Sequence, residues 1–168
     1  MTIHESVSED GTPQRRGGIH TDGFCSNRGN CLEDPWWHPW GGGRPGEFSG
    51  GIYSASNVSN SVCFWDVFVQ PGTSSGFSQG NGDCEYLRSE LGRFPCVKPL
   101  AGELYWFTDA TPHESLPLLA GTRRQYFRLV TSDVAVWWEQ HSTPNELGIQ
   151  PNATILTHSK FDGKYDSI

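Results

Sequence analysis

The chain has 168 residues with 12 Lys and Arg against 19 Asp and Glu, a formal net charge of -7. That balance excludes a general nucleic-acid binder, which needs a basic stripe to neutralise phosphates. No run approaches the ~18 apolar residues that span a bilayer, and the acidic start, residues 1–11, lacks the apolar segment of a secretory signal, so a cytoplasmic location is expected.

The length suits about one domain. Twenty Gly, eleven Pro and an apolar fraction rich in Trp, Phe and Tyr, spread over short runs between turn residues, predict an all-β fold. The five cysteines are odd in number and contain no C-x-x-C pair, so free, partly buried thiols are expected.

Residues 1–16 are polar, contain Gly and Pro and show no periodicity, which predicts a flexible leader before a core at 17–138. Residues 17–24 are expected to form the first ordered strand. His20 and Asp22 stand two apart there, so in an extended chain they share a face while Thr21 points away.

A loop rich in Trp, Gly, Pro and Asn follows over 25–50, including Trp36, Trp37 and Trp40 around His38. Loops of such length commonly act as lids or binding surfaces. Strands are predicted at 51–56 and 62–69, the second almost continuously apolar and therefore buried on both faces. Its exception, Asp66, suits a core or rim carboxylate rather than a ligand.

Residues 70–81 are rich in Gly and Ser and read as a loop. Residues 83–91 place Cys84, Leu87 and Leu91 at helical spacing, which predicts a short surface helix with Glu85, Arg88 and Glu90 toward solvent. After a turn at 99–103, strands are expected at 104–108, 112–118, 123–131 and 134–138, the second carrying His113. A tail from residue 139 to 168 wraps the outside, anchored by Ile155, Leu156 and Phe161. Short strands joined by tight turns, without a long amphipathic helix, fit a double-stranded β-helix: a jelly roll of the cupin type.

Two imidazoles and one carboxylate, His20, Asp22 and His113, form the ligand set of a facial triad. That set leaves three adjacent metal positions open and marks non-haem Fe(II) oxygenases. His4, His141 and His158 are read as solvent-facing, and His38 as the histidine with a substrate role open to it.

The flanking residues carry a resemblance. Gly102–Phe107, then Pro112–Pro117 around His113, then Gly121-Thr122-Arg123, together with Gly18–Gly23 around His20, resemble the core of the iron(II)- and 2-oxoglutarate-dependent oxygenases, most closely the prolyl hydroxylase branch. The similarity implies hydroxylation of a protein side chain or small metabolite, with Fe(II), 2-oxoglutarate and O₂ brought together around the triad. It also implies a basic residue for the far carboxylate of the co-substrate, where a guanidinium fork fits best.

Arg123 follows the Gly-Thr turn as in that branch and is the preferred choice; other branches place the residue one position later, at Arg124, with Arg128 on the same face. Strand alternation allows only one of Arg123 and Arg124 to point inward. The chain departs from the family in having only nineteen residues before His20, which reads as a compact variant or a fragment. A different class stays open: a non-catalytic jelly-roll module that binds carbohydrate or peptide through the Trp-rich loops. The partner in either case is a small molecule or peptide, with no nucleic acid or membrane indicated.

Overall fold

The computed structural model describes residues 1–22, 50–67, 69, 82–131 and 136–159. Strands β1 (Thr2–Val7), β2 (Ile52–Ser56), β3 (Val62–Trp65), β4 (Cys96–Val97), β5 (Tyr105–Phe107), β6 (His113–Ser115), β7 (Arg123–Val130), β8 (Val136–Trp138) and β9 (Thr154–Leu156) dominate. A 3-10 turn, Glu85–Leu87, runs into the short helix α1, Arg88–Leu91. The fold is all-β, as the composition predicts, and no helix among the described residues is long and apolar enough to cross a membrane.

The strands divide into a first sheet of order β1-β7-β2-β5 and a second of order β4-β3-β6. The chain changes sheet between β2 and β3, then at β5, β6 and β7 in turn. Asn60, at φ 55, supports the first of these crossings, since Asn tolerates the left-handed region better than most residues. Leu119–Thr122 makes the last, with Gly121 at φ 77 in its third position, where a type II turn requires a positive φ.

The apolar core lies between the sheets: Ile52 and Phe107 from the first meet Val62 and Phe64 from the second. Alternation sends the other two residues of β3, Cys63 and Trp65, to the opposite side, where Ile19, Cys84 and Leu91 cover them beneath α1. This is why β3 is buried throughout and reads as an unbroken apolar run. Asp66, just beyond it, is exposed.

Two expectations are corrected. Residues 1–16 are not a flexible leader in their first part: β1 pairs antiparallel with β7 along its whole length, from Thr2 opposite Arg128 to Val7 opposite Arg123. Its inward residues are Thr2, His4 and Ser6 while Ile3 and Val7 face solvent, so the usual apolar-in pattern is inverted and gives no strand signal. His4 is therefore half-buried in a sheet rather than solvent-facing.

Strand β8 pairs in parallel with β9, and the two form a unit on either side of residue 139. Within it Leu156 is buried and Ile155 is exposed; Phe161 lies outside the described residues. Finally, Cys63 and Cys96 form a disulfide, their Cα atoms 5.8 Å apart, within the range such a bridge spans. Cys84 is free and buried, and burial pushes its thiol up to about 11, which leaves it an inert packing residue. Cys25 and Cys31 lie outside the described residues, as do the Trp-rich stretch with His38 and the loop at 70–81.

Candidate metal centre

His20 is not part of a continuous strand. It bridges antiparallel to His113 on one side and to Asp83 on the other. His20 N–H donates to His113 O and His113 N–H to His20 O, each at 2.9 Å, so the two residues form a directly bonded cross-strand pair. Their rings lie 4.4 Å apart. Ile19 O accepts from Cys84 N–H and Gly82 O from Thr21 N–H, both at 2.8 Å, which locks the segment from its other edge.

A second clamp holds the same elements from outside. Ile19 N–H donates to Glu85 Oε2 at 2.9 Å, and Arg88 bonds both Glu85, in the 3-10 turn, and Glu114, next to His113 on β6. Arg88 and the Ile19 N–H hold the Glu85 carboxyl at about 2. Arg88 and Glu85 are half-exposed, so solvent screens the energy of this clamp, whose role is positional.

The candidate ligand atoms of His20, Asp22 and His113 all lie within 4.8 Å of one another. A triangle with sides no longer than that has a point no more than about 2.8 Å from every corner, close to the ~2.0–2.2 Å reach of metal–nitrogen and metal–oxygen bonds. Both imidazoles are oriented for coordination: His20 Nδ1 lies 2.8 Å from Gly18 O and His113 Nδ1 2.9 Å from Thr111 O. A carbonyl only accepts, so each Nδ1 carries the proton and each Nε2 keeps the lone pair that a metal needs.

The protonation states match as well. Burial, then His113 and Arg16, push the His20 imidazole down to about 3; burial likewise lowers His113. For Asp22 burial acts upward, but Arg128, the two imidazoles and Arg15 outweigh it and hold the carboxyl at about 2. Near neutral pH the site therefore presents two neutral imidazoles and one carboxylate, so a divalent ion displaces no proton from them. Arg128 Nη1 donates to Asp22 Oδ2 at 3.0 Å and orients the carboxylate. The His20, Asp22 and His113 group can hold a metal ion.

The arginines resolve by the phase of β7. Its residues Arg124, Tyr126 and Arg128 face the same small cavity, about 40 Å³, as the three ligands. Arg123 points out, 76% exposed and paired with Glu5 at 2.6 Å, so the preferred choice from the sequence is the one that does not reach the cavity. Arg124 is 1% exposed. Its Nε donates to Ser56 Oγ at 3.1 Å and its Nη1 to Gln14 Oε1 at 3.3 Å, while Nη2 has no partner among the described residues.

Two further residues escaped the sequence reading. Gln14 spans from Ser6 Oγ to the Arg124 carbonyl and ties β1 to β7 at the cavity wall. Arg15 lays its guanidinium over the Tyr126 ring, 4.7 Å from the centroid, with Arg124 5.1 Å from the same ring. Burial lowers the pKa of both arginines. The signal available was the pair Arg15-Arg16 lying so close before His20, a cationic doublet next to a ligand strand.

Compared with protein-family models, curated proteins and solved structures, the chain finds no match.

Proposed function

We propose that the protein is an iron(II)- and 2-oxoglutarate-dependent oxygenase built on a double-stranded β-helix. The observation that carries the reading is the convergence of His20, Asp22 and His113, with each Nε2 directed by a backbone carbonyl behind it, in one cavity with the inward Arg124. Strands that alternate between two facing sheets are the arrangement a jelly roll requires.

The residues present fit the implied group. Two imidazoles and a carboxylate suit iron(II) and leave adjacent positions for a 2-oxo acid and O₂. Bound iron supplies oxygen activation, in which 2-oxoglutarate, O₂ and a substrate C–H yield succinate, CO₂ and the hydroxylated product. Within the chain, Thr111 O and Gly18 O fix the imidazole tautomers, and Arg128 orients Asp22. Arg124 receives the far carboxylate of the co-substrate through Nη2. Phe64 and Phe107 pack against the His113 ring, at 5.6 and 5.2 Å, and keep water from that side of the ligand. The cavity suits an ion and a few waters, so a five-carbon dicarboxylate enters with outward movement of the neighbouring side chains.

The test is conversion of 2-oxoglutarate to succinate by the purified chain with and without Fe(II). Turnover is expected only with the metal, and His113→Ala is expected to abolish it; undiminished succinate formation by that variant overturns the assignment.

A second reading, binding without catalysis, has one observation in its favour. A groove of about 420 Å³ runs along Val97, Tyr105 and Trp106, the last 42% exposed, and offers an aromatic face to a sugar or peptide. It predicts ligand binding that chelation leaves unchanged.

A further inference from the structure

We propose that Arg15 is a recognition residue for an acidic group on the substrate, so that the protein acts on a carboxylate- or phosphate-bearing molecule. The inference rests on the oxygenase reading for its division of roles. It is carried by the partners of the cationic groups around the cavity.

Arg128 is matched by Asp22. Arg124 is fixed by Ser56 and Gln14 and directs one unpartnered nitrogen inward, which the co-substrate carboxylate occupies. Arg15 is different. It lines the cavity with the three ligands, yet among the described residues its five N–H donors meet no acceptor, and only the Tyr126 ring holds it.

A half-buried guanidinium with no hydrogen-bonded carboxylate is costly, more so with Arg124 on the same ring, and a face of tyrosine compensates only part of that cost. In a cleft with low-dielectric walls such a charge is best satisfied by a ligand anion. The metal ligands do not supply the acceptor: Asp22 acts on Arg15 through charge alone, and its hydrogen bond goes to Arg128. An acid group on the substrate completes the set, and binding it there places a neighbouring C–H of the same molecule next to the metal centre. A carboxylate and a phosphate both accept the fork in two parallel hydrogen bonds, so the chemistry is shared.

The experiment uses the full chain loaded with Co(II), which does not turn over, and isothermal titration in two stages. First, 2-oxoglutarate is titrated into wild type, Arg15→Gln and Arg124→Gln. The expected result is binding to wild type, a loss of at least tenfold in Arg124→Gln and a change of less than about threefold in Arg15→Gln. Second, with 2-oxoglutarate saturating, acetate, inorganic phosphate and neutral acetamide are titrated as probes. One of the anions is expected to bind wild type, at least tenfold more weakly in Arg15→Gln and near normally in Arg15→Lys, with acetamide silent. Thermal melts establish that each variant is folded.

Anion binding that is the same in Arg15→Gln, that competes with 2-oxoglutarate, or that is absent up to tens of millimolar overturns the proposal. If 2-oxoglutarate fails to bind while an anion still binds through Arg15, the oxygenase reading falls and the anion site stands.

Discussion

The space between the two sheets has two halves of opposite character. Around Ile52, Val62, Phe64 and Phe107 it is dry and aromatic, with Phe64 4.9 Å from Phe107 and 4.6 Å from Tyr105. Around Ser54, Ser56, Arg124 and Tyr126 it is polar and cationic, equally inaccessible but held by hydrogen bonds, as between Ser54 Oγ and Tyr126 OH at 3.0 Å. His113 sits at the boundary, with phenyl rings on one side and the ligand cavity on the other. The first half stabilises the fold by burial; the second buries a guanidinium at a cost in stability.

That contrast is open to direct attack. The largest effect is expected from Phe64→Ala, which empties the dry half: about 3–5 kcal/mol of destabilisation, read from urea midpoints at unchanged slope. A loss below about 1 kcal/mol would show that this half does not carry the fold.

Acid should strike the boundary next. Because His20 titrates at about 3 when folded and 6.5 when unfolded, the unfolded chain binds more protons between those values, and stability falls as pH drops through 6.5. The metal-free protein is expected to lose on the order of 2 kcal/mol between about pH 8 and pH 5 from this group, with His113 adding in the same direction. Asp22, lowered to about 2 from 3.8, adds its loss only below about pH 4. Denaturant titrations across pH check the slope; flat stability over that window contradicts the buried neutral pair.

On the cationic side, Arg124→Met should leave stability within about 1 kcal/mol of wild type, or raise it, since an apolar isostere avoids the desolvation of a buried charge. On the proposed oxygenase reading it should also remove 2-oxoglutarate binding, a separation of stability from binding that Phe64→Ala cannot show. The smallest effect is expected at Arg123→Ala. An exposed ion pair with Glu5 contributes less than about 1 kcal/mol, and co-substrate affinity should not change. A large loss of that affinity would reverse the assignment of the inward arginine.

The dry half was legible in the sequence and the polar half was not. Val62–Trp65 announces itself because both faces of β3 are covered by apolar neighbours. Strand β1 is silent because its inward positions are the polar Thr2, His4 and Ser6, and period-two patterning is sought in apolar residues. His20, Asp22 and His113, which the structure brings together, could be singled out in the sequence because their residue types are those of metal ligands. The choice between Arg123 and Arg124 depended on strand phase, which is set by Ser6 opposite Arg124 and Ser54 opposite Arg128, pairings between distant segments. The Cys63–Cys96 bridge was hidden for the same reason, since it depends on β4 lying beside β3.

The reciprocal peptide bonding of His20 and His113 gives the centre a property that ligand identity alone does not. Side chains along a strand change face with every residue, so a slip of one position between these segments would turn an imidazole away from the cavity and leave every ligand present in the sequence but scattered in space. The address of the candidate metal centre is thus written in the pairing of two peptides, and whatever secures that pairing, including the carboxylates gripped by Arg88, guards the address from outside the cavity.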